Sequence, residues 1–190
     1  MKKIGVLGLQ GAVSEHIDKL NCIGNIDPYV VKYEEEIAAV DALIIPGGES
    51  TAIGRLLTDF NLTAALKARI LQGMPVWGTC AGMIVLAKNI CNDTRRHLEV
   101  MDIEVIRNGY GRQLDSFTTS VSLPELSANK IPLVFIRAPY VVDAAPQVEV
   151  LLRVNGNIVA CRQKNMLATS FHPELTDDLS FHRYFAGMLN

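Results

Sequence analysis

Cys80 stands in "WGTCAGM" with a glycine two positions away on each side, Gly78 and Gly82, an arrangement that none of the other three cysteines shares. A strand running into Gly-x-Cys-x-Gly and then a helix has the spacing of a nucleophile elbow, where a sharp turn demands small neighbours. Such a turn lifts the nucleophile to the carboxyl end of a sheet and the amino end of a helix, where N–H groups and the helix dipole favour a thiolate. The N–H of Ala81, the next residue, is then aimed at a developing oxyanion. The alternative is a small core residue whose glycines merely allow tight packing.

A thiol nucleophile needs a base. His172, in "SFHPELT", follows an apolar stretch, and Glu174 comes two residues later. Positions i and i+2 of an extended chain face the same way, and Pro173 favours extended geometry at His172 and at itself. The Glu174 carboxylate can then orient the imidazole and stabilise its protonated form. An ordinary strand-end histidine beside a solvated glutamate is the competing reading. His16 lies near the polar side of a helix, His97 in the turn-rich "NDTRRHL" and His182 on the last helix. All three read as surface or packing residues.

A glycine pair adds to this set. "PGGES", Pro46–Ser50, ends a strand and opens a helix. Two glycines let the backbone approach a ligand closely, and a helix start offers N–H donors to an anion or oxyanion. No Gly-Lys-Ser/Thr follows, so this is not a phosphate-binding Walker loop. "GLQGA" after the first strand lacks the dinucleotide pattern.

These residues need a scaffold that brings them together. Lys3–Leu9 reads as a buried strand with a turn at Gln10–Gly11, and Val13, Ile17 and Leu20 recur at helical spacing. Tyr29–Val31, Ala42–Ile45 and Pro75–Trp77 read as further strands. "ESTAIGRLL" reads as a helix start capped by Ser50 or Thr51, and Leu62–Leu71 and Ala81–Lys88 as helices. The second half offers strands at Val100–Ile106, Phe117–Ser122, Val134–Ile136, Val148–Val154, Ile158–Cys161 and Leu167–Phe171, with a hairpin turn at Val154–Asn157. Thr176–Leu189 reads as a closing helix capped by Thr176, with Asp177 and Asp178 in its first turn. The alternation predicts an α/β fold of three layers, α/β/α, with a mostly parallel central sheet and an antiparallel extension. No linker or repeat divides residues 1–190, which read as one domain.

Bulk properties narrow the function classes. The chain has 190 residues and is 49% hydrophobic, enough for one sizeable core. A formal net charge of −2, the lack of a long basic run and only 6% aromatics disfavour a nucleic-acid partner. Cys22, Cys80, Cys91 and Cys161 form no CxxC pair and no dense framework, so a structural zinc site is not expected, and reduced thiols in a cytoplasmic protein are. "MKKIGVLGLQGAV" is too short and too broken by glycines for a signal peptide, and no apolar run is long enough to span a membrane.

Taken in order, "PGGEST", "GTCAG" and "SFHPELT" resemble the motifs of the triad, or class I, glutamine amidotransferases. "GVLGLQGAVSEH", "RNGYGRQLDSF" at Arg107–Phe117 and "FIRAP" at Phe135–Pro139 are similar to the PdxT family, the glutaminase subunit of pyridoxal 5′-phosphate synthase. The likeness runs from Gly5 to the last helix. It implies hydrolysis of L-glutamine to L-glutamate and ammonia, with Cys80 as nucleophile, His172 as acid and base, and Glu174 orienting His172. It implies substrate binding by Gly47, Gly48, Glu49, Arg107, Ile136 and Arg137. It implies an oxyanion hole from N–H groups of Gly48 and Ala81, organised by Gln10 on docking. The partner so implied is PdxS, a (β/α)8-barrel synthase subunit that receives the ammonia; Gln10–His16 would form part of the interface. Pyridoxal phosphate is then a product of the complex, and neither cofactor nor metal is expected on this chain. Three positions depart from the family pattern: Ala52 where a second hydroxyl is common, Gly109 where Ala or Ser is usual, and Tyr140 where His is frequent. Gly109 is expected to loosen the loop that carries Arg107.

Rival readings remain open on the residues alone. A cysteine peptidase or esterase uses the same elbow. A non-catalytic regulatory subunit, or a structural domain with no site, would leave the motifs without a purpose.

Overall fold

The computed structural model describes residues 1–110 and 116–189. The middle of "RNGYGRQLDSF" therefore lies outside the described residues.

Strands and helices alternate through the first half: β1 (Lys2–Leu7), α1 (Val13–Asn21), β2 (Ile26–Val31), α2 (Glu34–Ala39), β3 (Ala42–Ile45), α3 (Ser50–Asp59), α4 (Leu62–Leu71), β4 (Val76–Thr79) and α5 (Ala81–Leu86). Strands dominate the second: β5 (Ala87–Ile90), β6 (Met101–Ile106), β7 (Ser116–Val121), β8 (Ile131–Ile136), β9 (Tyr140–Ala144), β10 (Glu149–Val154), β11 (Asn157–Gln163) and β12 (Met166–Thr169). A 3-10 turn at Pro173–Leu175 and α6 (Ser180–Gly187) follow.

The main sheet runs β2-β1-β3-β4-β12-β11-β9-β6-β5, with β10 paired to β11. From β2 to β12 every pairing is parallel. The β11 pairings with β12, β10 and β9, and that of β9 with β6, are antiparallel, which gives the expected extension.

All residues of β3, β4 and β12 are buried, as strands covered on both faces must be. Their side chains alternate between two cores. Leu43, Ile45 and Val76 join one with Ile53, Leu57 and Leu66 of α3 and α4. Ile44, Trp77 and Leu167 join the other with Leu20, Phe181 and Phe185 of α1 and α6. This period-2 division makes the three layers. Trp77 is fully buried, and its indole N–H is satisfied by the Thr169 hydroxyl at 3.0 Å.

Several elements differ from expectation. The apolar run from Ala81 ends as a helix at Leu86 and continues as β5, because an unbroken apolar run carries no period to separate helix from strand. Glu49, not Ser50 or Thr51, occupies the cap of α3 and accepts the Thr51 N–H. The last helix starts at Ser180, not Thr176; Asp178 accepts the Ser180 N–H, and Thr176 accepts that of Asp178. Strand β9 and helix α2 were not anticipated. The hairpin β7–β8 forms a sheet of its own, where Phe117 and Phe135 stack at 4.5 Å. The hairpin turn at Val154–Asn157 is present, with positive φ at Asn155 and Gly156. Among the described residues no helix is long and apolar enough to cross a membrane.

Candidate active site

Strand register brings the three motifs to one place. Gly78 of β4 lies opposite Ile45 of β3, and Thr79 opposite Thr169 of β12. The loops that leave the carboxyl ends of these adjacent strands carry Gly47–Gly48, Cys80 and His172. That edge of a parallel sheet is where open α/β folds bind ligands.

Cys80 sits at φ 48°, ψ −103°, a conformation that costs a non-glycine residue about 1–3 kcal/mol. The surroundings hold it there: its N–H bonds Thr169 O at 2.8 Å, and its carbonyl accepts the Met83 N–H at 3.1 Å. The flanking glycines have steric causes. A Cβ on Gly78 would lie 2.4 Å from the Gly82 carbonyl, and one on Gly82 would lie 2.1 Å from the Ile45 carbonyl oxygen. The sharp strand-to-helix turn expected from the sequence is therefore present, and Ala81 opens the helix after it.

The Cys80 sulfur is 3.9 Å from the Ile136 carbonyl oxygen. His172 Nδ1 is 2.7 Å from Glu174 Oε1, and the Glu174 side chain is fully buried. Donation from Nδ1 to the carboxylate leaves Nε2 for Cys80. Extended chain through Pro173 was expected to set this pair side by side, but the 3-10 turn does so instead. The backbone of His172 is fixed by its N–H to Val134 O of β8, at 2.8 Å. Burial opposes charge on this imidazole. Hydrogen bonds and charge from Cys80 and Glu174 overcome that and raise its pKa to about 10.

The site opens into a cleft of about 480 Å³ lined by Gly47, Gly48, Glu49, Arg107, Ile136 and Arg137, together with Gln10 and Ala81. Arg107 bonds Glu49 Oε1 at 2.8 Å, and its other terminal nitrogen is 3.5 Å from Asp93. Burial pushes the Glu49 carboxyl up, but the Thr51 N–H and hydroxyl, then Arg107 and Arg137, hold it below the usual range. Arg137 takes a left-handed conformation, φ 43°. Gln10 Oε1 accepts the Glu49 N–H at 2.7 Å, and Ala12 N–H bonds Gly47 O at 3.0 Å. The first loop thus grips the glycine pair. A Cβ on Gly47 would lie 2.4 Å from His172 Cε1, so only glycine lets this backbone cross the His172 imidazole. Gly109 and Tyr140 prove to be linked departures, since the Tyr140 ring fills the space a Gly109 Cβ would need, at 2.3 Å. Gly109 is packed, not slack.

Two buried histidines were not foreseen as neighbours of the site. His16 Nε2 is 3.5 Å from Glu174 Oε2 and 3.2 Å from Thr79 Oγ1, and His16 Nδ1 is 3.0 Å from His182 Nε2. Neither is on the surface. The signal was there: Val13, His16, Ile17 and Leu20 share one helical stripe, as do His182, Phe185 and Leu189.

The sequence and the fold are similar to those of known proteins. The PdxT subunit of pyridoxal 5′-phosphate synthase from Ruminiclostridium cellulolyticum is 77% identical over 189 residues, covering 100% of both chains. That from Caldanaerobacter subterraneus subsp. tengcongensis is 55% identical over 96% of this chain and 97% of its own. A crystal structure of a glutamine amidotransferase superposes with a TM-score of 0.92 at 40% identity, covering 98% of each chain. PurLQS from Thermotoga maritima shares the fold alone, with a TM-score of 0.71 at 14% identity. The family model of the SNO glutamine amidotransferases matches residues 6–190, and the chain belongs to that family.

Proposed function

We propose that this chain is one glutaminase domain that hydrolyses L-glutamine to L-glutamate and ammonia, as the PdxT-type subunit of a pyridoxal 5′-phosphate synthase in the cytoplasm. One observation carries the reading: a thiol, imidazole and carboxylate line a cleft whose lining also pairs a carboxylate, Glu49, with a guanidinium, Arg107. Glutamine's α-ammonium needs the first and its α-carboxylate the second, or the adjacent Arg137.

In this reading His172 Nε2 already holds the proton taken from Cys80, and the sulfur attacks the side-chain carboxamide carbon. The carbonyl π pair moves onto oxygen, and the oxyanion meets the N–H groups of Ala81 and Gly48. The intermediate collapses, the C–N bond breaks, and His172 returns the proton to the leaving nitrogen, which departs as ammonia. Water, deprotonated by His172, then attacks the thioester; glutamate leaves and the thiol is restored. Glu174 orients the imidazole and balances its charge throughout. The ammonia passes to a PdxS-type (β/α)8-barrel synthase. The grip of Gln10 on the Glu49 N–H supports its role in setting the Gly47–Gly48 loop when that partner docks.

A glutamine analogue with an electrophilic γ-carbon tests the reading. Mass spectrometry of the digested complex should find one label, on the Cys80 peptide, blocked by excess glutamine. Labelling elsewhere, or turnover of esters or peptides with none of glutamine, would overturn it.

A further inference from the structure

Glu174 presents two oxygens to the interior, and only one is accounted for. Oε1 takes the His172 Nδ1–H, while Oε2 is buried without a hydrogen-bond partner inside ordinary distance among the described residues. A buried carboxylate oxygen calls for a donor. The group facing it is His16 Nε2, at 3.5 Å.

The proton positions along this row follow from elimination. Were His16 protonated on Nδ1 it would donate to His182 Nε2, and His182 would carry its proton on Nδ1, a buried atom without a partner among the described residues. That arrangement strands an N–H and turns the lone pair of His16 Nε2 toward a carboxylate. The opposite assignment satisfies every donor. His182 Nε2–H donates to His16 Nδ1, and His16 Nε2–H is shared between Thr79 Oγ1 and Glu174 Oε2. Only an acceptor, His182 Nδ1, is left bare, which is the cheaper omission. Burial lowers the pKa of His16 well below the ordinary histidine value and that of His182 to about 3, so both rings are neutral and each carries one proton.

We infer that His16, its ring set by His182, is a positioning residue for the catalytic set: its Nε2–H holds the second oxygen of Glu174 and so keeps the first on His172. The inference rests on the glutaminase reading. Catalytic hydrogen bonds that are long in a resting site shorten in the reacting complex, which gives the 3.5 Å contact room to tighten. Since α1 carries His16 and follows the Gln10 loop, one continuous segment of chain reaches both Glu49 and the Glu174 carboxylate.

Two polar replacements separate positioning from packing. In His16→Gln the amide nitrogen reaches the place of Nε2, toward Glu174. In His16→Asn it reaches only the place of Nδ1, toward His182. With the synthase-bound enzyme, His16→Gln should keep kcat within about threefold, and His16→Asn should lose about tenfold with KM nearly unchanged. In a Glu174→Gln background the further loss from His16→Asn should shrink to under about twofold. Equal kcat for the two variants, or the same loss in both backgrounds, would overturn the inference. Nitrogen NMR of the wild-type imidazoles at neutral pH provides a readout that needs no variant: His16 protonated on Nε2 supports it, and protonation on Nδ1 overturns it. If the wild-type complex releases no glutamate from glutamine, the glutaminase reading has failed, whichever tautomer the NMR finds.

Discussion

The two buried histidines make the fold sensitive to mild acid. In the unfolded chain each titrates near 6.5. In the folded chain burial keeps His182 at about 3 and His16 well below the ordinary value. Below pH 6.5 the unfolded state therefore takes up protons that the folded state refuses, so stability is full above 6.5 and falls as pH drops toward the folded values. Between pH 7 and pH 5 His182 accounts for about 2 kcal/mol, and His16 adds a loss of the same sign. His97, half-buried and also lowered, adds a smaller loss of the same sign. His172, raised to about 10, is protonated in the folded state throughout, whereas the unfolded chain protonates it only as pH falls through 6.5, so it offsets the loss by about 1 kcal/mol. Asp102, held at about 2 by Lys88 and Gln147, stays ionised there. A loss of this size is a large part of the total for an ordinary domain. The single tryptophan, Trp77, lies against both histidines and reports unfolding in urea directly. His182→Gln keeps an amide donor toward His16 but cannot titrate, so its loss between pH 7 and pH 5 should be smaller than that of wild type by about 2 kcal/mol. A wild-type loss under about 1 kcal/mol, or an equal loss in the variant, would refute the reasoning.

Gly47→Ala forces a Cβ to within 2.4 Å of His172, and displacing that ring should lower kcat about a hundredfold while the melting temperature changes little; calorimetry beside kinetics checks it. Arg107→Ala removes the guanidinium facing Glu49 and should raise KM for glutamine about ten- to a hundredfold with a smaller effect on kcat, seen in steady-state kinetics. Gly109→Ala meets the Tyr140 ring at 2.3 Å and should raise KM several-fold. Adding Tyr140→His should restore it, and a double variant no better than the single one would contradict the pairing.

The residues proposed for catalysis are readable because each lies in a short local motif whose chemistry constrains its neighbours. Gly78 and Gly82 flank Cys80 for a reason visible in three letters of spacing, and Glu174 follows His172 by two residues. What set the pair side by side was not readable: a 3-10 turn after Pro173 reaches the same end as extended chain. The distances between Cys80, His172 and Gly47 depend on β3, β4 and β12 being adjacent, which pattern alone does not fix. Resemblance, not periodicity, picked out Glu49, Arg107 and Arg137. Among elements, Leu62–Leu71 showed its helical period clearly and has those same bounds in the structure. The run Ala81–Ile90 showed none, so its change from α5 to β5 was hidden. His16 and His182 read only as surface or packing residues because a histidine counts as polar, although each lies on an apolar stripe.

The most direct test of the account is glutamate release from L-glutamine, measured with and without the barrel synthase, beside a Cys80→Ala control. Release that depends on the synthase and vanishes in the control is the predicted result. A rate unchanged by Cys80→Ala, in a folded and synthase-bound protein, would contradict it.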